Sequence, residues 1–117
     1  MEQERMYREF SVPDEQSILE SLGEWPEEVE EGVHQLALCR EGGETLKLSY
    51  SVLGRSVRVQ WVDTSGKTVV DLFKEGATRL AVTSTGFTVS SHMGECTGEM
   101  VVEVFPVISV TERVLFT

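Results

Sequence analysis

Residues 45–52, TLKLSYSV, set Leu46, Leu48, Tyr50 and Val52 on one side of an extended chain and Thr45, Lys47, Ser49 and Ser51 on the other. A period of two marks a strand, because successive side chains point to opposite faces. The pattern repeats in SVRVQW, with Val57, Val59 and Trp61 inward and Arg58 and Gln60 outward. Leu53-Gly54-Arg55-Ser56 between the two runs reads as a tight hairpin. Asp63-Thr64-Ser65-Gly66 is a second turn, and KTVVDLF makes a third strand. A chain built on this meander is committed to an antiparallel sheet with one apolar face that must be covered.

The flanking segments continue the theme. HQLALCR (34–40) precedes the meander through Glu41-Gly42-Gly43-Glu44. TRLAVTS and FTVSS surround a Thr85-Gly86 hairpin, and EMVVEVF and VISVTERVLF follow, separated at Pro106. Alternation weakens at Glu112-Arg113, which predicts a bulge or a sheet edge there.

The period differs only near the N-terminus. In SVPDEQSILESLGEW, Pro13 suits a first helical turn, Asp14 and Glu15 favour its positive end, and Ile18, Leu19 and Leu22 form a stripe that Gly23 ends. This predicts a helix over 13–22. WPEEVEEGV repeats the punctuation with Pro26, Glu27, Glu28 and Gly32, which predicts a second, shorter helix with Trp25 and Val29 as a hydrophobic staple. The first ten residues are polar and expected to fray, with Met6, Tyr7 and Phe10 free to dock on a neighbour. The expectation is a single α+β domain over 1–117: one or two short N-terminal helices packed on an antiparallel, meander-rich β-sheet of about six to eight strands.

Charge narrows function further. The chain of 117 residues carries a net charge of −10. Residues 1–31 hold eleven acids against two bases, whereas residues 32–117 hold nine acids and eight bases. A field of that sign repels phosphate backbones and anionic membranes, so neither a nucleic acid nor a membrane is an expected partner. It attracts a basic protein and speeds the encounter. The apolar runs are too short to span a bilayer, and the charged N-terminus lacks the apolar stretch of a secretory signal; the expected location is cytoplasmic.

Few residues suggest chemistry. SSHMGECTGE (90–99) contains His92 and Cys96, which with His34 and Cys39 would make a two-histidine, two-cysteine set. Residues 34 and 39 on one strand point to opposite faces, and neither pair has the close turn spacing of zinc ligands, so no metal is expected. Glu95 and Glu99 flank Cys96 and disfavour a thiolate nucleophile. Both thiols are expected to be reduced, Cys39 buried and Cys96 in a flexible connection over 92–98. Ser90, Ser91 and His92 lack a nucleophile elbow. No glycine loop for phosphate is present, and no cofactor is expected. Asp71 interrupts an apolar strand, either as the outward residue beside Val70 and Leu72 or as a buried acid paired with Arg58 or Arg79. Lys47, Arg58 and Gln60, with Arg55 at the turn, form a polar patch on the open sheet face.

In size, charge and architecture the chain resembles the immunity proteins that neutralise bacterial toxins. The resemblance implies a non-enzymatic module that binds and inhibits a basic toxin or nuclease. Glu15, Glu20, Glu24, Glu27, Glu28, Glu30 and Glu31 would steer the partner, and Trp25 would anchor it. Two other readings fit the same residues. One is a small-molecule binder or enzyme with a pocket between sheet and helices lined by Tyr50, Trp61, Phe73 and Phe87, in which Asp71 and His92 titrate. The other is a structural homodimer paired through its C-terminal strands.

Overall fold

The computed structural model describes residues 9–39 and 42–116; the expectations for Met6, Tyr7 and the frayed start fall outside them, except that Phe10 is buried in the core. The described residues form a helix, α1 (Glu15–Leu22), and nine strands. These are β1 (Glu27–Glu30), β2 (Val33–Cys39), β3 (Thr45–Ser51), β4 (Ser56–Val62), β5 (Thr68–Glu75), β6 (Ala77–Val82), β7 (Gly86–Met93), β8 (Cys96–Glu103) and β9 (Ser109–Phe116). The protein is mainly antiparallel sheet with one short helix.

The strands form two sheets rather than one, β1-β2-β3-β4-β5 and β6-β7-β8-β9, each in chain order. The change of sheet occurs at Gly76, whose φ of 73° few other residues tolerate. Its carbonyl accepts from the His92 N–H, and Ala77 N–H donates to the Arg55 carbonyl, so both sheets grip the crossover. Leu36, Leu38, Leu46, Leu48, Tyr50, Val57 and Val59 from the first sheet share one core with Ala77, Leu80, Phe87, Val89, Met100 and Val102 from the second. Lys74 on β5 and Glu112 on β9 add an ion pair between the sheets.

Local chemistry sets the helix bounds. Asp14 caps α1 by accepting from the Ser17 N–H at 2.8 Å, and that bond holds its carboxyl below the ordinary range. Gly23 ends it in the left-handed region, its N–H donating to the Leu19 carbonyl at 2.8 Å. Ile18 and Leu22 are buried, each contributing about 1.5–3 kcal/mol of apolar transfer. Just before the helix, Ser11 bridges β6 in parallel: its N–H donates to Thr78 O at 3.0 Å and its carbonyl accepts from Leu80 N–H at 2.8 Å.

The second expected helix is a strand. Pro26 and the acids after it are helix-start signals, but a helix of one or two turns gains few internal hydrogen bonds for its nucleation cost. As β1 the same residues pair with β2, Glu27 opposite Gln35 and Glu30 opposite Val33, with a bulge between Glu28 and Glu30. Gly32, at φ 80°, turns the chain, and its N–H donates to the Glu28 carboxylate at 2.9 Å.

Three smaller expectations also change. The 92–98 segment is a tight hairpin: Met93 pairs with Cys96 around Gly94 and Glu95. Cys39 is exposed, because Leu36 and Leu38 take the inward positions of β2, and Cys96 is half-buried at the start of β8. Val52 falls in the β3–β4 turn and is exposed. The weakened alternation at Glu112-Arg113 corresponds to an edge, since β9 pairs with β8 in unbroken register and is the last strand of its sheet.

Candidate functional site

Between residues 9 and 39 the sequence has nine carboxylates and no lysine or arginine. The fold places these residues on α1, on edge strand β1 and on the connections around them. Glu20, Glu24, Glu27, Glu28, Glu30 and Glu31 are exposed. Among the described residues none of these six pairs with a lysine or arginine. Glu15 differs: it is half-buried in the first turn of α1, its carboxylate 3.8 Å from Nε2 of His34. Trp25 lies between α1 and β1 and is 48% exposed, as is Val29, while Pro26 between them is buried.

The outer face of the five-stranded sheet adjoins this edge. Strand register fixes which side chains line up across it. One row runs Glu27, Gln35, Ser49, Arg58, Phe73; the next runs Glu30, Val33, Ser51, Ser56, Glu75. Short side chains cluster at the centre, Ser49 in the first row and Ser51 and Ser56 in the second, with longer ones around them. An open groove of about 300 Å³ results, crossing all five strands, with Val29 and Glu30 on one wall and Arg58 and Phe73 on the other.

Polar groups in the groove are already partly ordered. Gln35 Nε2 donates to Ser49 Oγ at 3.0 Å, and Ser51 Oγ accepts from the Gly54 N–H at 3.0 Å. Arg58 forms a two-pronged pair with Asp71, Nε to Oδ1 at 3.0 Å and Nη2 to Oδ2 at 2.9 Å. The hydrogen bond from Arg58 holds the Asp71 carboxyl below the ordinary range, with a smaller contribution from Gln60. Asp71 is therefore an exposed, paired acid on the outer face.

The six residues of the pocket reading do not converge. Tyr50 and Phe87 are buried in the core from different sheets, and Trp61 packs beside it with its indole N–H donating to Glu44 at 3.3 Å. Asp71 and Phe73 lie on the outer face of β5, and His92 on β7 stands 3.5 Å from the Thr97 hydroxyl. Phe73 also borders a second cleft of about 350 Å³, where Met93, Cys96 and Val114 meet β5. Tyr50 stacks on His34 with ring centroids 5.6 Å apart, and burial, assisted by the charge of Glu15, pushes its phenol up to about 12. Among the described residues no three His, Cys, Asp or Glu side chains are grouped to hold a metal ion, and no helix is long and apolar enough to cross a membrane.

Sequence reasoning singled out Arg58, Gln60 and the glutamates but not the groove. The available signal was the outward Ser49 and Ser51 next to Ser56, three short side chains in adjacent strands.

No protein-family model and no curated protein sequence matches the chain. Its fold does have a counterpart in a contact-dependent growth inhibition toxin–immunity protein complex from Klebsiella pneumoniae 342. The similarity has a TM-score of 0.77, at 12% sequence identity, and covers 93% of this chain and 100% of the matched one. At that identity the likeness is one of fold.

Proposed function

We propose that this chain is an immunity-type protein, a non-enzymatic inhibitor that binds a basic toxin in the cytoplasm. The observation that carries the reading is its fold likeness to a chain of a toxin–immunity protein complex. Charge supports the inhibitor side of such a pair. A toxin that acts on nucleic acid needs a cationic surface, and a protein with nine carboxylates and no lysine or arginine over residues 9–39 is suited to occupy it. The exposed glutamates Glu20, Glu24, Glu27, Glu28, Glu30 and Glu31 steer the encounter, Glu15 adds to the field beside His34, and the half-exposed Trp25 supplies an aromatic contact among them.

The test is co-production with the product of the adjacent gene. Expression of that product alone should arrest growth, and this chain should restore it and co-purify in a stoichiometric complex. A neighbouring product that is harmless, or one that this chain neither binds nor neutralises, overturns the reading.

A further inference from the structure

The groove on the outer face of the five-stranded sheet has its own charge balance. Arg58 is the one cation lining it among the described residues, and Asp71 already holds it. Glu30 lines the groove at the β1 end of the second row, and Glu27 and Glu75 flank it at the ends of the rows; the second row holds no base, and Arg58 in the first is taken by Asp71. The floor between them offers oxygen acceptors at separated points: the Ser49, Ser51 and Ser56 hydroxyls and the Gln35 and Gln60 amides. Phe73, 58% exposed, presents an aromatic ring on the far wall.

We propose that this groove receives a guanidinium group of a basic protein partner. The assignment rests on the immunity-type reading and names the part of the surface that makes close contact. A guanidinium is planar and carries five N–H donors, so at the β1 side of the groove it can pair with the Glu30 carboxylate and donate to neighbouring acceptors such as the Gln35 amide and the Ser51 hydroxyl. A lysine ammonium is a compact point charge and satisfies fewer of them. The glutamates outside the groove act at long range, whereas the groove distinguishes one basic surface from another.

The probe is the peptide acetyl-Gly-Arg-Gly-amide, titrated against the full chain by heteronuclear NMR beside its citrulline counterpart, which keeps the shape and lacks the charge. The arginine peptide should give saturable shifts at the backbone amides of Ser49, Ser51 and Ser56 and at the side-chain amides of Gln35 and Gln60. The citrulline peptide should give none. Glu30→Gln with Glu75→Gln should weaken binding about tenfold, and Ser49→Leu, which fills the floor, should abolish it. Glu95→Gln with Glu99→Gln, exposed on the four-stranded sheet and outside the groove, should leave it unchanged. The two Glu→Gln pairs alter exposed side chains, so the comparison survives a folding defect in the Ser49 variant. Equal shifts with citrulline, or no groove shifts at all, overturn the proposal. Neutralised toxin with an unresponsive groove removes the groove assignment and leaves the immunity reading standing. A responsive groove without neutralisation does the reverse.

Discussion

Arg58 on β4 and Asp71 on β5 face each other diagonally across the outer sheet face and close two hydrogen bonds, at 3.0 and 2.9 Å. Asp71 sits opposite Gln60, and Arg58 sits opposite Phe73. The pair thus fixes the guanidinium along the wall of the groove and cancels its charge. Both side chains are exposed, so solvent screens the pair, and its influence on position exceeds its influence on stability.

That arrangement has a signed pH dependence. Asp71 has a folded-state pKa below its ordinary value of 3.8. Its contribution is present above that value and is lost as pH falls through the depressed one. Asp71→Asn should lower the urea midpoint slightly at neutral pH. The difference from the parent should close in acid, below pH 3.8. A difference that persisted unchanged at the lowest pH would show that the two groups are not coupled through charge.

Tyr50 titrates in the opposite sense. Burial, then the Glu15 charge, raises its phenol to about 12 from 10.0. The unfolded chain therefore loses this proton first, and stability should fall as pH rises from 10.0 toward 12. Tyr50→Phe should flatten that part of the stability curve. Glu15→Gln should bring the phenol down only part of the way, since burial is the larger cause. Absorbance titration in the ultraviolet, with denaturation at each pH, measures both effects.

Gly86 tests the packing of β7 against β8. A Cβ at this position would lie 1.9 Å from the Val102 carbonyl oxygen, a backbone atom that cannot swing aside. At Gly66 a Cβ meets nothing within 4 Å, and only its φ of 88° is unfavourable. Gly86→Ala should therefore cost about 3 kcal/mol or more, against about 1–2 kcal/mol for Gly66→Ala. Urea denaturation of the two variants gives the order directly, and equal midpoints would contradict the close approach.

The sequence made these placements legible to different degrees. Strand faces were readable wherever one side is buried: Leu46, Leu48 and Tyr50, or Val57 and Val59, sort by parity alone, whereas Cys39, expected to be buried from its residue type, follows the parity of β2 outward. The identity of β1 was not, because Pro26 and Glu27-Glu28 are local helix signals, whereas pairing with Val33–Gln35 is a non-local interaction. The split into two sheets hangs on Gly76, which in sequence is one glycine between two strand-like runs. The groove depends on the alignment of five strands. Each serine was visible in isolation, but their adjacency exists only once the register is known.

The anionic edge yields the most direct functional prediction. Glu27 and Glu28 lie on β1 and Glu31 in the turn after it, all exposed, with no lysine or arginine between residues 9 and 39 to offset them. Reversing all three to lysine changes the local charge without removing a buried group, so folding should survive. Association with a basic toxin should then slow by about tenfold or more at low salt, with a smaller effect on dissociation. Raising ionic strength toward 1 M shortens the screening length to about 3 Å, so the parent and the triple variant should converge there. Stopped-flow association rates across a salt series separate the cases. Parallel salt-independent rates would mean that these glutamates do not steer, and that recognition must come from contacts such as Trp25 and the groove alone.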